Sequence, residues 1–85
     1  MKTKVFIVED QFAEAHNLQL ILERGGYNVC GIARSMQSAL VDIARTMPQV
    51  VLLDIFLKGK ETGIDLAKKF THGTEVILSP GIDFV

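Results

Sequence analysis

Three stretches of the chain set an acid or a hydroxyl directly behind an apolar run. Glu9 and Asp10 follow Val5, Phe6, Ile7 and Val8; Asp54 follows Val50, Val51, Leu52 and Leu53; Ser79 follows Val76, Ile77 and Leu78. A buried strand has little use for a charge at its end, so each acid is either a turn or helix device or a reactive group. If Glu9, Asp10 and Asp54 meet, their repulsion has to be offset by a cation among them or by a retained proton. Few protein ligands, hard oxygens and open water positions describe magnesium better than calcium or zinc. A metal held in this way positions a phosphate, and a carboxylate beside it can take a phosphoryl group as a mixed anhydride. Ser79 is then placed to donate a hydrogen bond to a phosphoryl oxygen.

Those ends meet only if the strands run parallel. Residues 5–8 read as a first strand, and 11–24 as a helix with Phe12, Ala15, Leu18 or Gln19, and Leu22 along one stripe. Gly25 and Gly26 supply the left-handed residue that closes such a helix. A weaker second strand spans 29–33 and contains Cys30 and Gly31. Ser35 caps a second helix, whose Met36, Ala39, Leu40, Ile43, Ala44 and Met47 fall at helical spacing until Pro48 stops it. The third strand is 50–53. A third helix begins near Gly63 with Ile64, Ala67 and Phe70 inward, His72-Gly73 breaks it, and 76–78 is the fourth strand. Continuously apolar strands alternating with helices predict a doubly wound parallel α/β sheet. In such a sheet ligands bind outside the carboxyl ends of the strands, where the strand order reverses.

Length and composition narrow the setting. Eighty-five residues make one domain, and 48% hydrophobic residues with a formal charge of −1 suit a compact fold rather than a disordered one. The near-balanced charge offers no support for nucleic-acid binding, and no apolar run approaches the ~18 residues of a membrane span. The start, MKTKVFIVED, carries a four-residue apolar run that ends in two acids, which is a strand and not a secretion signal. A lone Cys30 fits a reducing compartment and reads as a small buried hydrophobe, so the cytoplasm is the expected location. His16 and His72 read as solvated, and Lys58, Lys60, Lys68 and Lys69 as a wet face. Asp54 is too far from the next helix to cap it, whereas Asp10 stands where it can cap the first helix in addition to any metal role.

FIVEDQ at the first strand, VVLLDIFLKGKETGIDLA at the third and VILS at the fourth resemble the receiver domain of two-component response regulators. The resemblance runs over essentially the whole chain, in order and at the family's spacing. It implies a flavodoxin-like receiver fold and a signalling module rather than an enzyme. By this resemblance Asp54 is the phosphoacceptor, and Glu9, Asp10, Asp54 and the backbone carbonyl of Phe56 hold Mg²⁺. Ser79 is then the switch hydroxyl that contacts the phosphoryl group. The implied partner is a histidine kinase or a phosphotransfer protein, with output by protein contact.

The family's sheet has five strands and five helices, and residues 1–85 leave the fourth helix, fifth strand and fifth helix without counterparts. The expected domain is therefore a receiver incomplete at its C-terminus, either a fragment or a natural short form. The lysine that the family places at the end of the fifth strand has no counterpart. Lys58 stands where the family often has proline, and Pro80 replaces the small residue usual after the switch hydroxyl. Two functions stay open: a phosphoacceptor in a phosphorelay, and a phosphorylation-independent interaction or dimerisation module. Uncovering the strand four edge, together with one face of strands one and three, predicts a homodimer through that edge, with Ile82, Phe84 and Val85 packed into the contact.

Overall fold

The computed structural model describes residues 2–54 and 74–79. The strands are β1 (Lys4–Val8), β2 (Asn28–Ala33), β3 (Val50–Asp54) and β4 (Glu75–Ser79), and the helices are α1 (Phe12–Arg24) and α2 (Met36–Thr46). All strand pairs are parallel and the sheet order is β2-β1-β3-β4. The expected doubly wound sheet is present, and each strand lies within one residue of its predicted bounds. The third helix expected from Gly63, together with Ile64, Ala67, Phe70, Lys58, Lys60, Lys68, Lys69, His72, Pro80, Ile82, Phe84 and Val85, lies outside the described residues.

The two helices cover opposite faces, and the strand period of two divides the core between them. Phe6, Val8, Val51 and Leu53 face α2 and cluster with Ala33, Met36, Ala39 and Ile43. Ile7 faces α1 and clusters with Ala15 and Leu18, with Leu22, Val29, Ile32 and Leu52 packed around them. β1 is the most deeply buried strand, its Val5, Phe6, Ile7 and Val8 all buried, because it has a strand on either side and a helix on either face. The prediction that one face of β1 is bare is therefore corrected: α1 lies over it. Exposure falls instead on the outer strand, where Ile77 is 46% exposed.

Gly31 lets β1 and β2 come together. The register shifts between Val5 and Phe6, and a Cβ added to Gly31 would lie 2.5 Å from a carbon of the Phe6 ring. The half-buried Cys30 packs against the core and its thiol donates to the Val5 carbonyl at 3.5 Å.

α1 ends as its glycine pair predicts. Gly26 adopts φ 90°, the Gly26 N–H donates to Glu23 O, and the Tyr27 N–H donates to Leu22 O, which together close a Schellman motif. α2 begins with Ser35, whose hydroxyl accepts from the Ser38 N–H at 3.2 Å. Three residues assigned to buried stripes are exposed. Phe12 is the first residue of α1 and stacks on the exposed His16 ring, 6.3 Å away and parallel to it. Ala44 is turned off the stripe of Met36, Ala39 and Ile43, and Met47 lies past the helix end at φ 50°. No helix among the described residues is long and apolar enough to cross a membrane.

Candidate functional site

From β1 the chain crosses to β2 on one side and then returns to β3 on the other, so the order reverses at β1. The crevice at the carboxyl ends of β1 and β3 is the switch point of the sheet. Register decides what meets there. Val8 pairs with Leu53 on one side and with Ala33 on the other, and Asp54 pairs with Ser79. One step past these pairs, the row along the sheet edge reads Arg34, Glu9, Asp54, Ser79, on strands spaced by about 4.8 Å. Glu9, Asp10, Asp54 and Ser79 are thus brought to one edge by the backbone. Asp54 and Ser79 are placed by main chain alone, and Phe56 lies outside the described residues.

The acid pair sits in a turn whose main chain is tied to its neighbours. The Glu9 N–H continues the ladder by donating to Ala33 O at 2.9 Å. The Glu9 side chain is buried, and its Oε1 accepts from the Gln11 N–H at 3.0 Å. Asp10 is half-buried, and its main-chain carbonyl accepts from Arg34 Nε at 3.4 Å and Nη2 at 3.2 Å. Both acids stand immediately before α1, where the helix dipole favours negative charge.

Asp10 does not cap the helix. The N-cap position belongs to Gln11, extended at φ −96° and ψ 117°, whose side chain makes no capping bond. The extra ladder bond at Glu9 carries the chain one residue further before it turns into the helix, which moves Asp10 out of capping register.

The donor types, carboxylate oxygens, are those a small hard cation takes, while no group of three ligand side chains that could hold one is found among the described residues. Two carboxylates, one buried and one half-exposed, lie at a helix N-terminus, and a third acid ends the neighbouring strand. Arg34 is the residue that pattern reading missed. It belongs to no motif, and only its position just past the β2 residue paired with Val8 signals that it reaches the acid turn.

The model of the response regulator receiver domain family matches residues 5–79. The phyllosphere-induced regulator PhyR of Methylorubrum extorquens is 31% identical over 77 residues, which are 89% of this chain and 29% of that protein. The crystal structure of the response regulator PhyR from Brucella abortus superposes with a TM-score of 0.83 at 32% identity, over 92% of this chain and 33% of the other. A co-crystal structure of the anti-anti-sigma factor PhyR with the anti-sigma factor NepR, from Bartonella quintana, gives 0.78 at 29% identity, over 92% and 32%. The chain spans about a third of the length of these relatives. Its match runs from the first strand through the last and includes the acid turn and both strand ends that face it. The chain belongs to the response regulator receiver domain family.

Proposed function

We propose that the chain is a phosphoacceptor module of a two-component phosphorelay. Asp54 takes the phosphoryl group of a phosphohistidine on a histidine kinase or phosphotransfer protein. The P–N bond breaks, a bond forms between phosphorus and an Asp54 carboxylate oxygen, and the imidazole leaves with the electron pair and regains a proton. Glu9, Asp10, Asp54 and the backbone carbonyl of Phe56 hold Mg²⁺, which neutralises charge on the transferred group when bound. Ser79 donates a hydrogen bond to a phosphoryl oxygen. A millimolar dissociation constant, worth roughly 4 kcal/mol, is expected for so few protein ligands. The module signals by protein contact in the cytoplasm and catalyses no turnover of its own. The observation that carries this reading is the register, which sets Asp54 against Ser79 and one strand away from Glu9. The NepR complex of a relative adds support for output through a protein partner.

The test is exposure to a small-molecule phosphodonor with Mg²⁺. One acid-stable, base-labile phosphate should appear on Asp54 and disappear in Asp54→Asn. Label that survives the substitution would move the acceptor elsewhere.

A second reading, association without phosphoryl chemistry, draws on one observation: the 46% exposure of Ile77 on the outer strand of the described sheet. An apolar strand of that kind templates pairing with another chain. Homo-oligomers through β4 should then appear in sedimentation with rising concentration and dissociate in Ile77→Lys. A sedimentation coefficient that does not change with concentration would remove this reading.

A further inference from the structure

Three ties bear on the geometry of the turn that carries the acid pair, beside a further interaction of Glu9. The Glu9 N–H to Ala33 O bond is main chain to main chain, and the bond from Gln11 N–H to Glu9 Oε1 is internal to the turn. The third tie comes from outside: two N–H groups of the Arg34 guanidinium, from the segment between β2 and α2, grip the carbonyl of Asp10. A planar fork on one carbonyl restrains rotation of that peptide plane. The plane restrained is the one that follows the Asp10 Cα, so the fork limits the backbone from which the carboxylate hangs. Arg34 also borders a groove of about 320 Å³ that it shares with Phe12, Ala15, His16, Gln19 and Ile32.

We infer that Arg34 is a positioning residue for the acid pair, acting through the Asp10 carbonyl to hold that carboxylate ready for a divalent cation. This rests on the reading above that Glu9 and Asp10 help to hold Mg²⁺. A plain electrostatic role predicts the opposite sign. A cation beside the site repels Mg²⁺, so its removal would tighten binding, whereas loss of a positioning tie loosens it.

The experiment compares the wild type with Arg34→Ala and Arg34→Lys in Mg²⁺ titrations followed by amide NMR, alongside metal-free amide exchange. Arg34→Ala should weaken Mg²⁺ by about tenfold, the lower end of what supporting residues around metals contribute. It should also shift the metal-free amides of Asp10 and Gln11 and speed exchange at Gln11. Arg34→Lys keeps the charge but has one donor nitrogen in place of the planar fork, so it should recover part of the affinity. The melting temperature should stay close to that of the wild type, because Arg34 is exposed. Unchanged or tighter binding in Arg34→Ala, with wild-type amides at residues 9–11, would overturn the inference. Should the wild type itself bind no Mg²⁺, the metal reading fails on its own. The metal-free shifts and exchange then still decide whether Arg34 holds the turn.

Discussion

α1 and α2 begin at the same edge of the sheet and are closed by different means. α2 carries its own N-terminal cap in Ser35 and aligns Met36, Ala39 and Ile43 inward. α1 has no side-chain cap at Gln11, and the Gln11 N–H is spent on the Glu9 carboxylate. At the far ends the contrast reverses. α1 closes on Gly26, which adopts φ 90° at no steric cost, while α2 closes on Met47 at φ 50°, a conformation that side chains disfavour. The lesson is positional. Next to the candidate site, residues are set for charge and the helix start goes without its ordinary cap; beside Ser35 the local rules of helix termination hold.

The larger break in this contrast is at the C-terminal ends, and the two helices should respond with opposite signs. Gly26→Ala should cost about 1–2 kcal/mol by forcing a Cβ into the left-handed region. Nothing lies within 4 Å of that Cβ, so the cost is conformational alone. Met47→Gly should change stability in the other direction, by about 1 kcal/mol at most, since it relieves the same strain but frees the unfolded chain. Urea denaturation reads both, and a Met47→Gly protein less stable than the wild type would show that this end of α2 is held by more than its dihedral angle.

The smaller effect is at the N-terminal ends. Ser35→Ala should cost about 1 kcal/mol and leave Mg²⁺ binding unchanged. Gln11→Ser should gain up to about 1 kcal/mol by adding the missing cap. If Gln11→Ser instead destabilises the protein, the uncapped start of α1 is already optimal, and the contrast with α2 is not a concession to chemistry.

Much of this was legible in the chain. Three apolar runs ended in an acid or a hydroxyl, and a parallel sheet brings such strand ends together without any knowledge of side-chain packing. Ser35 and the Gly25-Gly26 pair announced helix ends by backbone chemistry that is local and therefore readable. What escaped depends on position in three dimensions. Phe12 fits a helical stripe but stands at the first turn of α1, where a period cannot say how far the sheet extends beneath it. Asp10 is a capping residue type displaced by one position, because Glu9 prolongs the ladder to Ala33. The continuous apolar run of β1 announces burial on both faces, but that α1 suffices to cover the second face shows only in the packing of Ile7 against Ala15 and Leu18. Arg34 is invisible without the register that sets Ala33 against Val8.

The central place of β1 also sets a timetable for synthesis. On the ribosome β2 emerges early and can pair with one side of β1, but its other side waits for β3. Lys4 and Gln49, which join at the start of that pairing, are 45 residues apart. At 5–20 residues per second the second side of β1 stays unmatched for roughly 2–9 s. During that interval the nascent chain displays the backbone of Phe6, Ile7 and Val8, the most apolar stretch of its first half, as an open strand. That is the interval in which a holding chaperone has the most to do, and a translational pause before Val50 should raise the yield of aggregate more than a pause after Asp54.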